Sequence, residues 1–403
     1  MVSSSWSVRA VLVAGLGVVA PLTAQQSPRA APAATGQPAA TDVSDSTYLR
    51  LHWAMVTDTQ VSAEPTEAGR LLAPADWTFD GHAQWDTTSH CISNLVKVTG
   101  LAKSPDGLSA FELFTPFSWQ WFDDSTIRQI ERRSAPTRAP FICPILEIVS
   151  PMDFIRRAIL PRYRPGAREI GAEPMPKLAA SAQSQLQTAY AVPLRGHQYS
   201  SVRADAGRVK IAYEIDGHHV EEWIMATIEV IAFSPSIARP KQTGYAKSSY
   251  IVTASHVYAY RAPAGTFDSE LTLFATIVNS IRPNPNWISA RDRALDLMLH
   301  RYDEIPGRRR IAVLAEGKHT DTIPAEGQDV SGAPSHNFDE FAVATHGLAS
   351  YLDPATHARI DLDAASPHPW TNGTGDYLLS ANPNFDPARV SGGPWVPLVP
   401  EHR

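Results

Sequence analysis

The densest run of side chains able to bind a metal or move a proton is His218-His219-Val220-Glu221-Glu222. It follows Asp216-Gly217, a dipeptide that favours positive φ at both centres of a tight hairpin turn. On the strand that follows, alternation puts His218 and Glu222 on one face and His219 and Glu221 on the other. A zinc centre needs three or four ligands converging at ~2.0–2.2 Å. One strand face offers two, so the run reads as a solvated strand end. The H-E-x-x-H spacing of a zinc protease is absent. Asn382, Asn384 and Asp386 are spaced like the first oxygen ligands of a calcium loop. The later Gly and closing Glu of such a loop are missing, and Asp386-Pro387 reads as a plain turn. No metal or other cofactor is expected.

Nucleophilic catalysis has equally little support, because there is no G-x-S-x-G elbow. Asp123-Asp124 beside Trp119 and Trp121 joins acids to a sugar-stacking surface. Glycoside hydrolysis, however, needs two carboxyl groups held ~5 or ~6.5–9.5 Å apart across a cleft, which neighbours on one loop do not supply. The aromatics are the better clue. Trp77, Trp85, Phe117, Trp119 and Trp121 gather in the first half, and Trp370, Tyr377 and Trp395 recur near the end. Packed inside, they are core. Exposed together, Trp119, Trp121, Trp370 and Tyr377 would form a recognition surface for protein or glycan.

The elements that must position these groups read as α+β, an antiparallel sheet with packed helices. Pro74–Phe79 and Ile92–Thr99 look like strands. Ser104-Pro105-Asp106-Gly107 is a turn, and Leu108–Phe114 returns as the second arm of a hairpin. Ser150, Pro151 and Asp153 form a capping box for a helix with Phe154, Ile155, Ala158 and Ile159 on its apolar face, stopped by Pro161 and Pro165. Lys177–Tyr190 reads as a second helix. Three strands follow as a meander: the run around Val209–Ile215, then Val220–Phe233, then Ser248–Arg261. Alternation places Tyr250, Val252, Ala254, His256, Tyr258 and Tyr260 on one face of the third. A helix from about Thr266 carries Leu271, Phe274, Ala275 and Val278, and another is expected to start at a Ser289/Asp292 capping box.

The chain has 403 residues and a formal charge of −6. A mildly acidic chain without a Lys/Arg cluster argues against nucleic acid or anionic lipid as the main partner. Arg9, the apolar Val11–Ala20 run and Leu22-Thr23-Ala24 make residues 1–24 a secretory signal peptide. The run is too short to span a bilayer, and no later stretch is long and apolar enough. Residues 25–46, rich in Ala, Pro and Gln, read as a disordered tether. The α+β domain spans 48–285, a helix and linker with Arg308-Arg309-Arg310 and a short strand at Ile311–Ala315 span 286–335, and a small β-rich module spans 336–403. Cys91 and Cys143 read as a disulfide in an oxidising compartment, the alternative being two buried free thiols. The expected location is the periplasm or outside the cell.

Residues 65–285 resemble the PsbP/Mog1-like α/β sandwiches. The resemblance lies in Pro74–Trp77, the aromatic-bearing strands after it, the 207–262 meander and the helix ending at Ser280-Ile281-Arg282-Pro283. It implies an extrinsic or accessory role beside a larger complex more often than catalysis. The tail is similar to segments of uncharacterised secreted bacterial proteins in Gly347, Tyr351-Leu352-Asp353-Pro354, Trp370, Asn372, Gly375-Asp376-Tyr377 and Asn382–Pro387. The expected function is an exported, non-catalytic accessory or binding protein. It would contact a protein or glycan of the cell envelope, or sit extrinsic to a membrane complex. The rival is a secreted hydrolase, metal-assisted or not, with an acidic/His site. A deep pocket gathering three or more Asp, Glu and His would favour the enzyme, and an exposed aromatic surface would favour binding.

Overall fold

A computed structural model describes residues 48–62, 64–134, 143–190, 199–233, 248–303 and 347–401. The signal peptide at 1–24, the tether at 25–46, and the linker with its triple Arg and short strand lie outside the described residues. Strands open the fold: β1 (Tyr48–Asp58), β2 (Thr66–Pro74), β3 (Thr78–Trp85), β4 (Val96–Lys103), β5 (Ala110–Leu113) and β6 (Phe117–Phe122). Helix α1 (Ser125–Ser134) follows. A second helical stretch starts as α2 (Pro151–Phe154), widens into a π turn at Ile155–Ile159 and ends as α3 (Leu160–Tyr163). Next come β7 (Arg168–Pro174), α4 (Pro176–Ala189), β8 (Tyr199–Ile215), β9 (His218–Phe233), β10 (Ser249–Pro263), α5 (Phe267–Asn279), β11 (Arg282–Pro283) and α6 (Pro285–Asp303). The tail supplies β12 (Leu348–Leu352), β13 (Arg359–Asp363), β14 (Trp370–Thr371), β15 (Asp376–Ser380), β16 (Val396–Pro397) and β17 (Val399–Pro400).

One 14-stranded sheet runs in the order β16-β14-β15-β1-β3-β4-β5-β10-β9-β8-β7. β2 and β11 extend it from β1, and β6 pairs with β10. The pairing is antiparallel except for a short parallel contact between β1 and β3. The class is therefore α+β. The β8–β9–β10 meander forms as its alternating residues require, and Asp216 (φ 49°) and Gly217 (φ 81°) make its first turn. β9 is apolar on both faces, so both must be covered. Ile224, Ala226, Ile228 and Val230 meet Phe154, Ile155 and Ile159 of the second helical stretch. Met225 on the other face joins a core with Leu178 of α4 and Phe267, Phe274 and Ile277 of α5.

Several elements depart from the sequence reading, each for a physical reason. The uniform face expected along β10 is broken by a bulge between Ser255 and Tyr258, where His256 takes φ 50°. One extra residue sends the side chains after it to the opposite face. Val252 and Ala254 therefore pack towards α2, while Tyr258 and Tyr260 pack towards α5. Ile92–Asn94 is a 3₁₀ turn rather than strand, because the Asn94 amide exchanges two 2.8 Å hydrogen bonds with the Ser118 backbone. Ser150 caps α2 as expected, accepting from Asp153 N at 3.1 Å. Pro161 does not end that stretch. The preceding Leu160 N–H already bonds Ile155 O through the π turn, and Ala158 is turned out to solvent. Helix α6 starts at Pro285 and not at Ser289. Asn284 Oδ1 accepts from Asn286 N at 3.0 Å, and Pro285 fills the first helical position, where its missing N–H costs nothing.

The tail is β-rich, yet it shares its packing with the first domain. β15 pairs antiparallel with β1, from Tyr48↔Ser380 to His52↔Asp376. Leu51 and Leu72 are buried in one cluster with Tyr351, Ile360, Leu362, Tyr377 and Leu379. No described helix is long and apolar enough to cross a membrane.

Candidate functional site

Cys91 and Cys143 are joined by a disulfide. The bond fixes the start of a segment that then runs beside β6. Gln120 N donates to Pro144 O at 2.9 Å and Leu146 N to Gln120 O at 3.2 Å. The indole of Trp119 donates to Glu147 O at 3.1 Å. Trp119 is 1% exposed and lies parallel to Phe154, centroid to centroid 5.8 Å. It therefore anchors the segment to the core and offers no surface to a partner.

Two residues further along β6, the same face of the sheet opens. Trp121 of β6 stands opposite Tyr250 of β10, Tyr250 opposite Ala232 of β9, and Ala232 opposite Ser201 of β8. The row falls from two large aromatics to two small residues, and the step leaves a groove of about 430 Å³, within the usual range for small-molecule sites. Val230 and Ala232 lie at its apolar base, while Asp123, Glu147 and Arg203 bring charge to it. The Tyr250 hydroxyl donates to Asp123 Oδ2 at 2.9 Å. Burial, then the Asp123 carboxylate, raises the pKa of this phenol, so it stays a protonated donor. The Arg128 guanidinium packs over Trp121, 4.3 Å from the ring centre. Glu147 and Arg203 are both exposed, and among the described residues neither has an ion-pair partner.

The other candidates serve the fold. Of the two adjacent acids, Asp124 caps α1 by accepting from Thr126 N at 2.7 Å and Ile127 N at 3.2 Å, which leaves Asp123 to the groove. Trp370 is half-buried against Phe385, with ring centres 5.3 Å apart. Tyr377 is buried, and its hydroxyl donates to the buried Asp353 at 3.0 Å. Burial and Asp353 raise the pKa of that phenol, so it is an interior strut. Of Trp119, Trp121, Trp370 and Tyr377, the groove contains Trp121 alone. The surface expected from all four together does not form, because Trp119 and Tyr377 are spent on packing.

His218 and His219 lie exposed at the hairpin tip, but Glu222 is buried. Its carboxylate takes Arg164 Nε and Nη2 at 2.7 Å each and the Tyr213 hydroxyl at 2.8 Å. Burial works against the Arg164 charge, but Glu222 and Glu112 outweigh it and raise the guanidinium pKa. Asn382 and Asp386 bond their own turns, accepting from Asn384 N and Ala388 N. No group of three or more metal-ligating side chains occurs among the described residues. The sequence placed Tyr250 only on a strand face and did not point to Glu147, Arg203 or Ser201. Tyr250, Arg203 and Ser201 meet through strand register and Glu147 through the disulfide-held segment, and Tyr250 opposite Trp121 is visible once β6 is known to pair with β10. Compared with protein-family models, curated proteins and solved structures, the chain matches none.

Proposed function

We propose that this chain is an exported, non-catalytic binding protein of the cell envelope, and that the groove beside Trp121 and Tyr250 is its recognition surface. The observation that carries the reading is the groove itself. An aromatic pair, an apolar base and charges of both signs, two of them without an ion-pair partner among the described residues, share one open concavity, the composition of a small-ligand or partner site. The leader at 1–24 and the Cys91–Cys143 bond support a periplasmic or secreted location, where disulfides persist. The β8–β10 meander closing on α5 supports a PsbP/Mog1-like sandwich, and with it an accessory role extrinsic to a larger complex. The partner is a protein or glycan of the envelope, and the acidic charge speaks against nucleic acid.

A second reading, a secreted hydrolase, is favoured by one observation: Asp123 and Glu147 line the same groove. The test separates the two. Tagged chain and its Trp121→Ala/Tyr250→Ala variant are incubated with solubilised envelope, and retained components are identified. Retention of a component by the unaltered chain alone is the expected result. Equal retention by the variant would refute the site. Turnover of glycosides or esters, abolished by Asp123→Asn, would replace binding with hydrolysis.

A further inference from the structure

We infer that the groove takes an uncharged sugar ring of a glycan chain. The inference rests on reading the groove as the recognition surface and names its ligand class. Among the described residues, the charged side chains lining the groove are Asp123 and Glu147, negative, and Arg203, positive, while Arg128, positive, backs it over Trp121. Two carboxylates and two guanidiniums leave no net charge among these four. An anionic ligand would face two carboxylates, and a cationic one two guanidiniums, each repulsion acting at short range. A neutral ligand meets neither.

The hydrogen-bonding inventory is equally selective. Arg203 offers only donors and Glu147 only acceptors, while Ser201 offers both. The Tyr250 hydroxyl donates its hydrogen bond to Asp123 and keeps acceptor capacity. A ligand satisfying all four must donate and accept at closely spaced atoms. Vicinal ring hydroxyls do both, whereas an apolar side chain does neither. The remaining demand is apolar. The aromatic face carries negative potential and attracts the partly positive C–H groups of a sugar ring. Neighbouring strands stand ~4.7–4.9 Å apart, so Tyr250 rises one strand from Ala232 and two from Ser201. A ring standing over Ala232 and Ser201 sets a C–H face against Tyr250 and its edge hydroxyls beside Arg203 and Glu147.

The probes are a neutral β-linked glucan oligomer and a neutral N-acetylated amino-sugar oligomer, with a polyuronate and a free amino-sugar oligomer as charged counterparts. Binding to the full chain is followed by calorimetry and tryptophan fluorescence. Saturable binding of a neutral oligomer is expected, weakened about tenfold or more by Arg203→Ala, Glu147→Gln or Tyr250→Ala. Far-ultraviolet circular dichroism checks that each variant folds, and Tyr250→Phe serves as the milder change. The charged oligomers are expected to bind at least about tenfold more weakly. Equal or tighter binding of a charged oligomer would overturn the inference. So would absence of neutral binding to about 10 mM while Trp121-dependent retention of an envelope protein persists, which leaves the recognition reading intact. Loss of both, with groove variants indistinguishable from the unaltered chain, would overturn both.

Discussion

Replacing Cys143 by Ala cuts the covalent tie between the 3₁₀ turn at Ile92–Asn94 and the segment that walls the groove. The two cysteines are 52 residues apart. In the chain-entropy model, closing a loop of that size stabilises the folded state by about 4 kcal/mol. That is a large share of the ~5–15 kcal/mol by which a domain is stable. Without it, the wall is held beside β6 by the Gln120–Pro144, Leu146–Gln120 and Trp119–Glu147 hydrogen bonds, each worth about 1 kcal/mol. The variant should therefore fold but unfold earlier. With an m value of about 3 kcal/mol/M, its midpoint in urea should fall by roughly 1–1.5 M. Reducing the unaltered protein should move its curve onto that of the variant. Coincident curves for oxidised, reduced and Cys143→Ala protein would refute the reasoning.

Asp58 is buried and accepts from the Trp85 and Trp287 indoles at 2.9 and 2.8 Å and from Gln60 N and Val61 N. Asp58→Ala leaves two indole donors unpaired and should cost roughly 2–5 kcal/mol in chemical denaturation; an unchanged midpoint would contradict this. Burial pushes the Asp58 carboxyl up, but these hydrogen bonds outweigh it and hold its pKa below the ordinary 3.8. Its contribution is thus full above that value and lost as the pH falls through the lower folded value. The unaltered chain should lose stability relative to Asp58→Asn below about pH 4, and parallel pH profiles would count against the assignment. Arg164→Met strands the Glu222 carboxylate and should cost about 3–5 kcal/mol, while Arg164→Met/Glu222→Leu should recover part of it. A double variant no better than the single one would argue against charge as the cause.

What could be read from the sequence was local. The Asp216-Gly217 turn and the Ser150-Pro151-Asp153 cap depend on neighbours within a few residues, and both occur as expected. The apolar period of α4 and α5 likewise decides which face meets the sheet. Long-range choices were hidden. Nothing near His256 announces a bulge, which arises because β10 must pair with β9 along one edge and with both β5 and β6 along the other. Nothing near Tyr48 indicates that β1 will take its partner from Asp376–Ser380. The site shows the same division. Trp121 and Asp123 stand out by type and proximity, but Tyr250, Arg203 and Glu147 join them through register and a disulfide-held segment. Trp119 and Tyr377 are the same residue types as Trp121 and Tyr250, and only packing separates strut from surface.

Amide hydrogen exchange of the full chain, with and without solubilised envelope, measures directly where a partner sits. Recognition through the groove requires slowed exchange at 120–123, 201–203, 230–232 and 249–251, where β6, β8, β9 and β10 form it. Protection confined to other strands, or unchanged exchange at these positions with the partner bound, would contradict it.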